Sequence, residues 1–135
     1  MDRYTLFPTF KKLIPQFLTR NNLFVIYHDN NNLKIVAIID ETLQKNGYKT
    51  EIVNIRENYN FNTLPTNNNT ACLVTMPENT LNLIKRLTTA KINKVWIEPG
   101  SESTEAINFC KDHKINAVYY HSLVKEIINL IETSY

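Results

Sequence analysis

Glycine is nearly missing: Gly47 and Gly100 are the only two in 135 residues, where average usage is about 7%. No GxGxxG or P-loop can be written anywhere in such a chain, which excludes the glycine-rich phosphate cradle of orthodox NAD sites. Cysteine is as scarce. Cys72 and Cys110 fall inside apolar-periodic stretches rather than turn-rich loops, so a disulfide scaffold is excluded and each reads as a small buried hydrophobe. No apolar run approaches the roughly 18 residues of a membrane span. The opening MDRYTLFPTF also lacks the basic stretch and apolar core of a secretory signal, so a cytoplasmic setting away from membranes is expected. A charge excess is absent too: 15 Lys and Arg against 13 Asp and Glu leave +2, too little for a nucleic-acid-binding domain. The length excludes a second full domain, and 43% hydrophobic with 21% charged residues excludes wholesale disorder.

What is present is an alternation of short β-branched runs and longer amphipathic stretches. Strands are expected at Leu23–Tyr27, Thr50–Ile55, Ala71–Thr75, Lys94–Glu98 and Asn116–Tyr120. Runs as continuously apolar as LFVIY suit strands covered on both faces. Leu33, Val36, Ile39 and Leu43 recur at helical spacing, with Gly47 placed to stop the helix in a left-handed turn. Pro77 and Glu78 open a second helix carrying Leu81, Ile84, Leu87 and Ala90. Ala106, Ile107, Phe109 and Cys110 form the face of a third. Ser122 caps a fourth that places Leu123, Ile127, Leu130 and Ile131 on one side. This predicts one three-layer α/β domain over residues 21–135, with a five-stranded, mainly parallel sheet in the order 2-1-3-4-5. Residues 1–20 form a helical extension, in which Pro15 interrupts the stripe Phe10, Leu13, Ile14, Phe17 and Leu18. Arg56–Thr70 reads as a surface loop with room for one short strand.

In an open sheet of this kind ligands sit outside the carboxyl ends of the strands, where the order reverses, here between the first and third. The relevant tips are Tyr27–Asn32 and Thr75–Glu78, flanked by Glu98–Ser103 and Asn54–Arg56. His28, Asp29, Glu98 and His121 share that edge, but strands one and five stand three places apart, roughly 14 Å at about 4.8 Å each. A shared metal ion is excluded on that ground.

From the first strand onward the motifs resemble, in order and spacing, the small bacterial and archaeal CoA-binding domain proteins. That is a Rossmann-like family related to the CoA-binding domain of the succinyl-CoA synthetase alpha subunit. The matching segments are KVWIEPGSESTEAINFCKDHKINAVYYHSL (Lys94–Leu123), TMPENT (Thr75–Thr80) and NGYKTEIVN (Asn46–Asn54). The resemblance implies a Rossmann-like fold and CoA lying across the switch point. The contacts it implies are the loop Tyr27, His28, Asp29 and Asn30, then Asn54, Met76, Pro77, Pro99, Gly100 and Ser101. Tyr27, His28 and Asp29 stand where the family carries a Gly-Ala-Ser loop, Ile55 replaces a proline and His121 a cysteine, so the phosphate loop is degenerate.

Beside this stand plainer readings. Pro99 and Gly100 also serve as a strand-to-helix turn with Ser103 as N-cap, and Glu102 and Glu105 disfavour a phosphate there. Lys34, just inside the first helix, reaches a phosphate at the switch point or is simply exposed. Lys85, Arg86, Lys91 and Lys94 read as a solvated face at the opposite edge. The favoured function is non-catalytic binding of CoA or an acyl-CoA type nucleotide. The alternatives are a cofactor-free partner-binding module presenting Phe10, Phe17, Tyr119 and Tyr120, and a small enzyme with His28 as base. A homodimer is left open.

Overall fold

The computed structural model describes residues 10–57 and 69–132. Five parallel strands run in the order β2-β1-β3-β4-β5: β1 (Leu23–His28), β2 (Lys49–Asn54), β3 (Asn69–Val74), β4 (Lys94–Ile97) and β5 (Asn116–Tyr119). The helices are α1 (Ile14–Phe17), α2 (Leu33–Lys45), α3 (Pro77–Thr89), α4 (Thr104–Asp112) and α5 (Leu123–Glu132). This is the expected Rossmann-like architecture. Side chains alternate across each strand, which divides the interior in two. Phe24 and Ile26 of β1 enter a core with α1, α2 and α5, while Val25 and Tyr27 enter one with α3 and α4. Both faces of the sheet are covered, and all four of these strand residues have no exposed surface.

Several boundaries differ from the sequence reading. Asn69 and Thr70, read there as loop, belong to β3, in register with Leu23 and Phe24; a buried ladder to β1 outweighs the poor strand propensity of Asn. The short strand envisaged between Arg56 and Thr70 lies outside the described residues. On α5 only Leu123 and Ile127 are buried, whereas Leu130 and Ile131, expected on the same buried face, are exposed.

α2 stops as its sequence predicts: Gly47 follows the helix at φ +87°. Among the described residues before β1, Pro15 limits the helix to the single turn of α1, which is nevertheless anchored to the sheet. Phe17 meets Trp96 edge-on, and the Tyr48 hydroxyl donates to the Leu18 carbonyl at 2.7 Å. The buried Asn22 donates to the Phe17 carbonyl at 2.6 Å and accepts from Lys94 Nζ at 2.7 Å. Among the described residues no helix is long and apolar enough to cross a membrane.

Candidate functional site

β1 has β2 on one side and β3 on the other, so chain leaving β1 enters the crevice where the order reverses. His28 is the last strand residue rather than part of the loop. Its Nδ1 accepts the Asn30 N–H at 3.0 Å, which occupies the atom an orienting carboxylate would need. Burial pulls its pKa below the ordinary 6.5, against the opposing fields of Asp29 and Glu57. His28 is thus a buried residue ending β1, with no ion pair to Asp29 among the described contacts and its Nδ1 engaged by the turn that follows. Asn30 turns the chain at φ +68°, a conformation Asn tolerates better than most residues.

Asp29 points across to β3. One oxygen accepts the Met76 N–H at 2.7 Å and the Asn79 side-chain amide at 2.8 Å; the other accepts the Asn31 N–H at 3.3 Å. Met76 is the N-cap position of α3, so the carboxylate sits at the positive end of that helix. Burial raises its pKa, but these hydrogen bonds outweigh it and hold the group below its ordinary value. Asp29 thus staples the β1 tip to the β3 tip. Tyr27, expected at the loop, is wholly buried in the core on the α3 side.

Two clefts flank this staple. The first, about 200 Å³, lies at the switch point between the start of α2 (Asn31, Asn32, Ile35) and the turns after β3 and β4 (Met76, Pro77 and Glu98 to Ser101). Asn32 caps α2 without a side-chain hydrogen bond, and no acidic residue stands in the first turn. Across the cleft, Ser101 Oγ accepts the Thr75 N–H at 3.0 Å and the Thr80 hydroxyl donates to the Ser101 carbonyl at 2.6 Å, locking the two turns together. Gly100, at φ +98°, leaves open space where a Cβ would stand. Glu102 is committed to the scaffold, accepting from Gly100 N–H at 2.8 Å and Tyr120 N–H at 3.1 Å.

Among the described residues, Glu98 is the one titratable side chain lining this first cleft. It is 5% exposed, and Oε2 accepts the N–H of Leu123 at the start of α5, 2.9 Å away. Burial, helped by the nearby Glu102, pushes its carboxyl up to about 7 against the hydrogen bonds from Leu123 and the Trp96 indole. The cleft therefore turns negative only near neutral pH and above.

The second cleft, about 230 Å³, opens on the other side of Asp29 between Ile55, Arg56 and the α3 residues Asn79, Asn82, Leu83 and Arg86. Two guanidinium groups in one cleft suit a phosphate. Sequence reading missed this feature by assigning Arg86 to the opposite edge, although Asn79, Asn82 and Arg86 stand at helical spacing of three and four. Of the other members of that face, Lys85 and Lys91 are exposed as expected, whereas Lys94 is partly buried and tied to Asn22.

Of the residues expected to hold a ligand, Met76, Pro77, Pro99, Gly100 and Ser101 meet around the first cleft, and Asp29 borders the second. Asn54 ends β2 with its side-chain oxygen accepting the Arg56 N–H at 3.0 Å, and Lys34 is exposed on the first turn of α2. Among the described residues, no three His, Cys, Asp or Glu side chains gather as a metal site requires. Cys72 and Cys110 are buried, and burial pushes Cys72 well up, with Glu98 adding to it, and Cys110 up to about 11; neither is an available thiolate. The aromatic contact surface considered from sequence is not a surface. Phe17 and Tyr119 are buried, Phe10 packs edge-on against Tyr119 and His121, and of the four only Tyr120 is exposed.

Comparison with known proteins gives a consistent result. A conserved hypothetical protein from Pyrococcus furiosus superposes with a TM-score of 0.65 at 19% identity, over 78% of this chain and 97% of that one, a likeness of fold. None of the curated proteins compared with the chain matched it. The model of the family described as CoA binding domain matches residues 25–127, from the third residue of β1 into α5. With the sheet order, the switch-point crevice and that match in agreement, the chain belongs to the CoA binding domain family.

Proposed function

We propose that this protein binds CoA or an acyl-CoA type nucleotide, without chemistry on it, along the carboxyl edge of the sheet, using a degenerate phosphate loop. The observation that carries the reading is the pair of clefts on either side of the Asp29 staple. The arginine-bearing cleft takes the phosphorylated end. The switch-point cleft takes the neutral pantetheine arm, because Glu98 in its lining turns negative from about pH 7 upward and then disfavours an anion there. In the position of a glycine-rich loop the chain has His28 and Asp29, both spent on internal hydrogen bonds. A ligand then rests on the edge rather than deep within the loop. Binding without catalysis is supported by how the lining is engaged: the Ser101 hydroxyl accepts from the Thr75 N–H, and Glu98 is held by the start of a helix.

Thermal unfolding with CoA, acetyl-CoA, ADP, NAD and NADP tests this. A ligand at about 100 times its dissociation constant adds roughly 2.7 kcal/mol to the folded state. CoA and acetyl-CoA are expected to raise the midpoint and NAD to leave it unchanged, and Arg56→Ala to weaken CoA binding about tenfold. No rise with CoA or acetyl-CoA at millimolar concentration would overturn the reading.

A further inference from the structure

α2 and α5 pack side by side over one face of the sheet, and both run from its carboxyl edge to its amino edge, hence in the same direction. Ile35 and Val124 are half-buried against the same core cluster and mark the seam between the two helices. Above that seam Ile38 is 43% exposed, Ile128 44% and Ile131 36%.

Each helix frames these isoleucines with the same pair of charges. On α2 the exposed Lys34 precedes the exposed Glu41 by seven residues, and on α5 the exposed Lys125 precedes the exposed Glu132 by seven. Seven residues are two turns, about 10.5 Å of rise, too far for a pair within one helix; Glu41 makes its intrahelical pair with Lys45, at 2.9 Å. On α5 this order also runs against the helix dipole, which favours acids at the start and bases at the end, beside the dipole-favourable Glu126 of its first turn. Lys125 stands in the first turn of α5 and Glu132 is its last residue.

A stripe that is positive at one end and negative at the other complements its own reverse. A two-fold axis across the helices sets α2 antiparallel to α2 of a second copy and α5 antiparallel to its α5. Lys34 then faces Glu41 of the second copy, Lys125 faces its Glu132, and Ile38 and Ile128 lie near the middle of each pairing. The other two-fold, along the helices, sets α2 against α5 and brings Lys34 to Lys125 and Glu41 to Glu132, like against like, which costs stability. We propose that the α2/α5 face is an isologous homodimer interface built on the first of these axes.

Sedimentation equilibrium of the full chain, with far-ultraviolet circular dichroism to check folding, tests this. The expected mass is twice the 15.8 kDa of the chain. Ile128→Glu should give a folded monomer. Lys125→Glu should weaken the dimer at least about tenfold, and adding Glu132→Lys should restore it, because the exchange keeps the pattern self-complementary only when the helices are antiparallel. All these side chains are exposed, so the variants are expected to fold. A wild-type chain that stays monomeric at about 100 µM, where a micromolar dimer would be nearly complete, would overturn the proposal. So would a dimer that Ile128→Glu leaves intact, or a charge exchange that fails to restore association.

Discussion

Glu98 is the residue whose environment departs furthest from what its type leads one to expect in a ligand cleft. An unfolded glutamate releases its proton near 4.5, whereas the folded chain holds it until about 7. Between those values the native state binds more protons than the unfolded one, so stability is fullest below pH 4.5 and falls as pH rises to about 7. Glu98→Gln keeps a side-chain oxygen for the Leu123 N–H and removes the charge. Its thermal midpoint should match wild type at pH 4.5 and exceed it at pH 8, by a free energy on the order of 2 to 3 kcal/mol. A variant less stable than wild type at pH 8 would contradict the assignment. None of this was legible in sequence, where Glu98 was one acid among several at the sheet edge. Its burial depends on α5 starting directly over it, a contact 25 residues away along the chain. Asp29 was legible as a loop acid but not as a staple, because its partners, Met76 and Asn79, arrive from β3 and α3.

Elements were read more successfully than residues. The 3.6-residue stripes of α2, α3 and α4 bury most of what they were expected to bury, since a strong period survives folding. But Leu33, expected on the buried face of α2, is 52% exposed at its first position, and Leu81 and Phe109 are only partly buried. The misplaced features were boundaries and the last helix. Asn69 and Thr70 enter β3 because pairing with β1 decides the matter. On α5 the apolar residues outnumber the places the sheet offers, and the surplus becomes surface. The end of α2 provides a test. Gly47 is at φ +87°, and an added Cβ would stand 2.8 Å from Arg20 Nη1. That neighbour is the tip of a flexible side chain and can withdraw, so the lasting cost is backbone strain of about 1 to 2 kcal/mol. Gly47→Ala should lower the denaturant midpoint accordingly, and adding Arg20→Ala should not recover it. Recovery would show that the steric contact, not the backbone, sets the requirement for glycine.

For the whole molecule, the sheet order followed from the alternation of strands and helices together with right-handed crossovers, and the order alone located the switch point. The two clefts there did not follow, because they are defined by side chains from loops far apart in sequence, Arg56 and Arg86 among them. A CoA-type ligand is proposed to lie along this edge, over both clefts. An NMR titration of the ¹⁵N-labelled protein with CoA examines both binding and place. The amide signals of Asn31, Asn32, Met76, Gly100, Ser101 and Arg56 are predicted to shift together along one binding curve, while Lys91, Asn93 and Asn116 at the opposite edge stay still. Saturable shifts confined to that opposite edge, or none at all, would contradict CoA binding at the carboxyl edge.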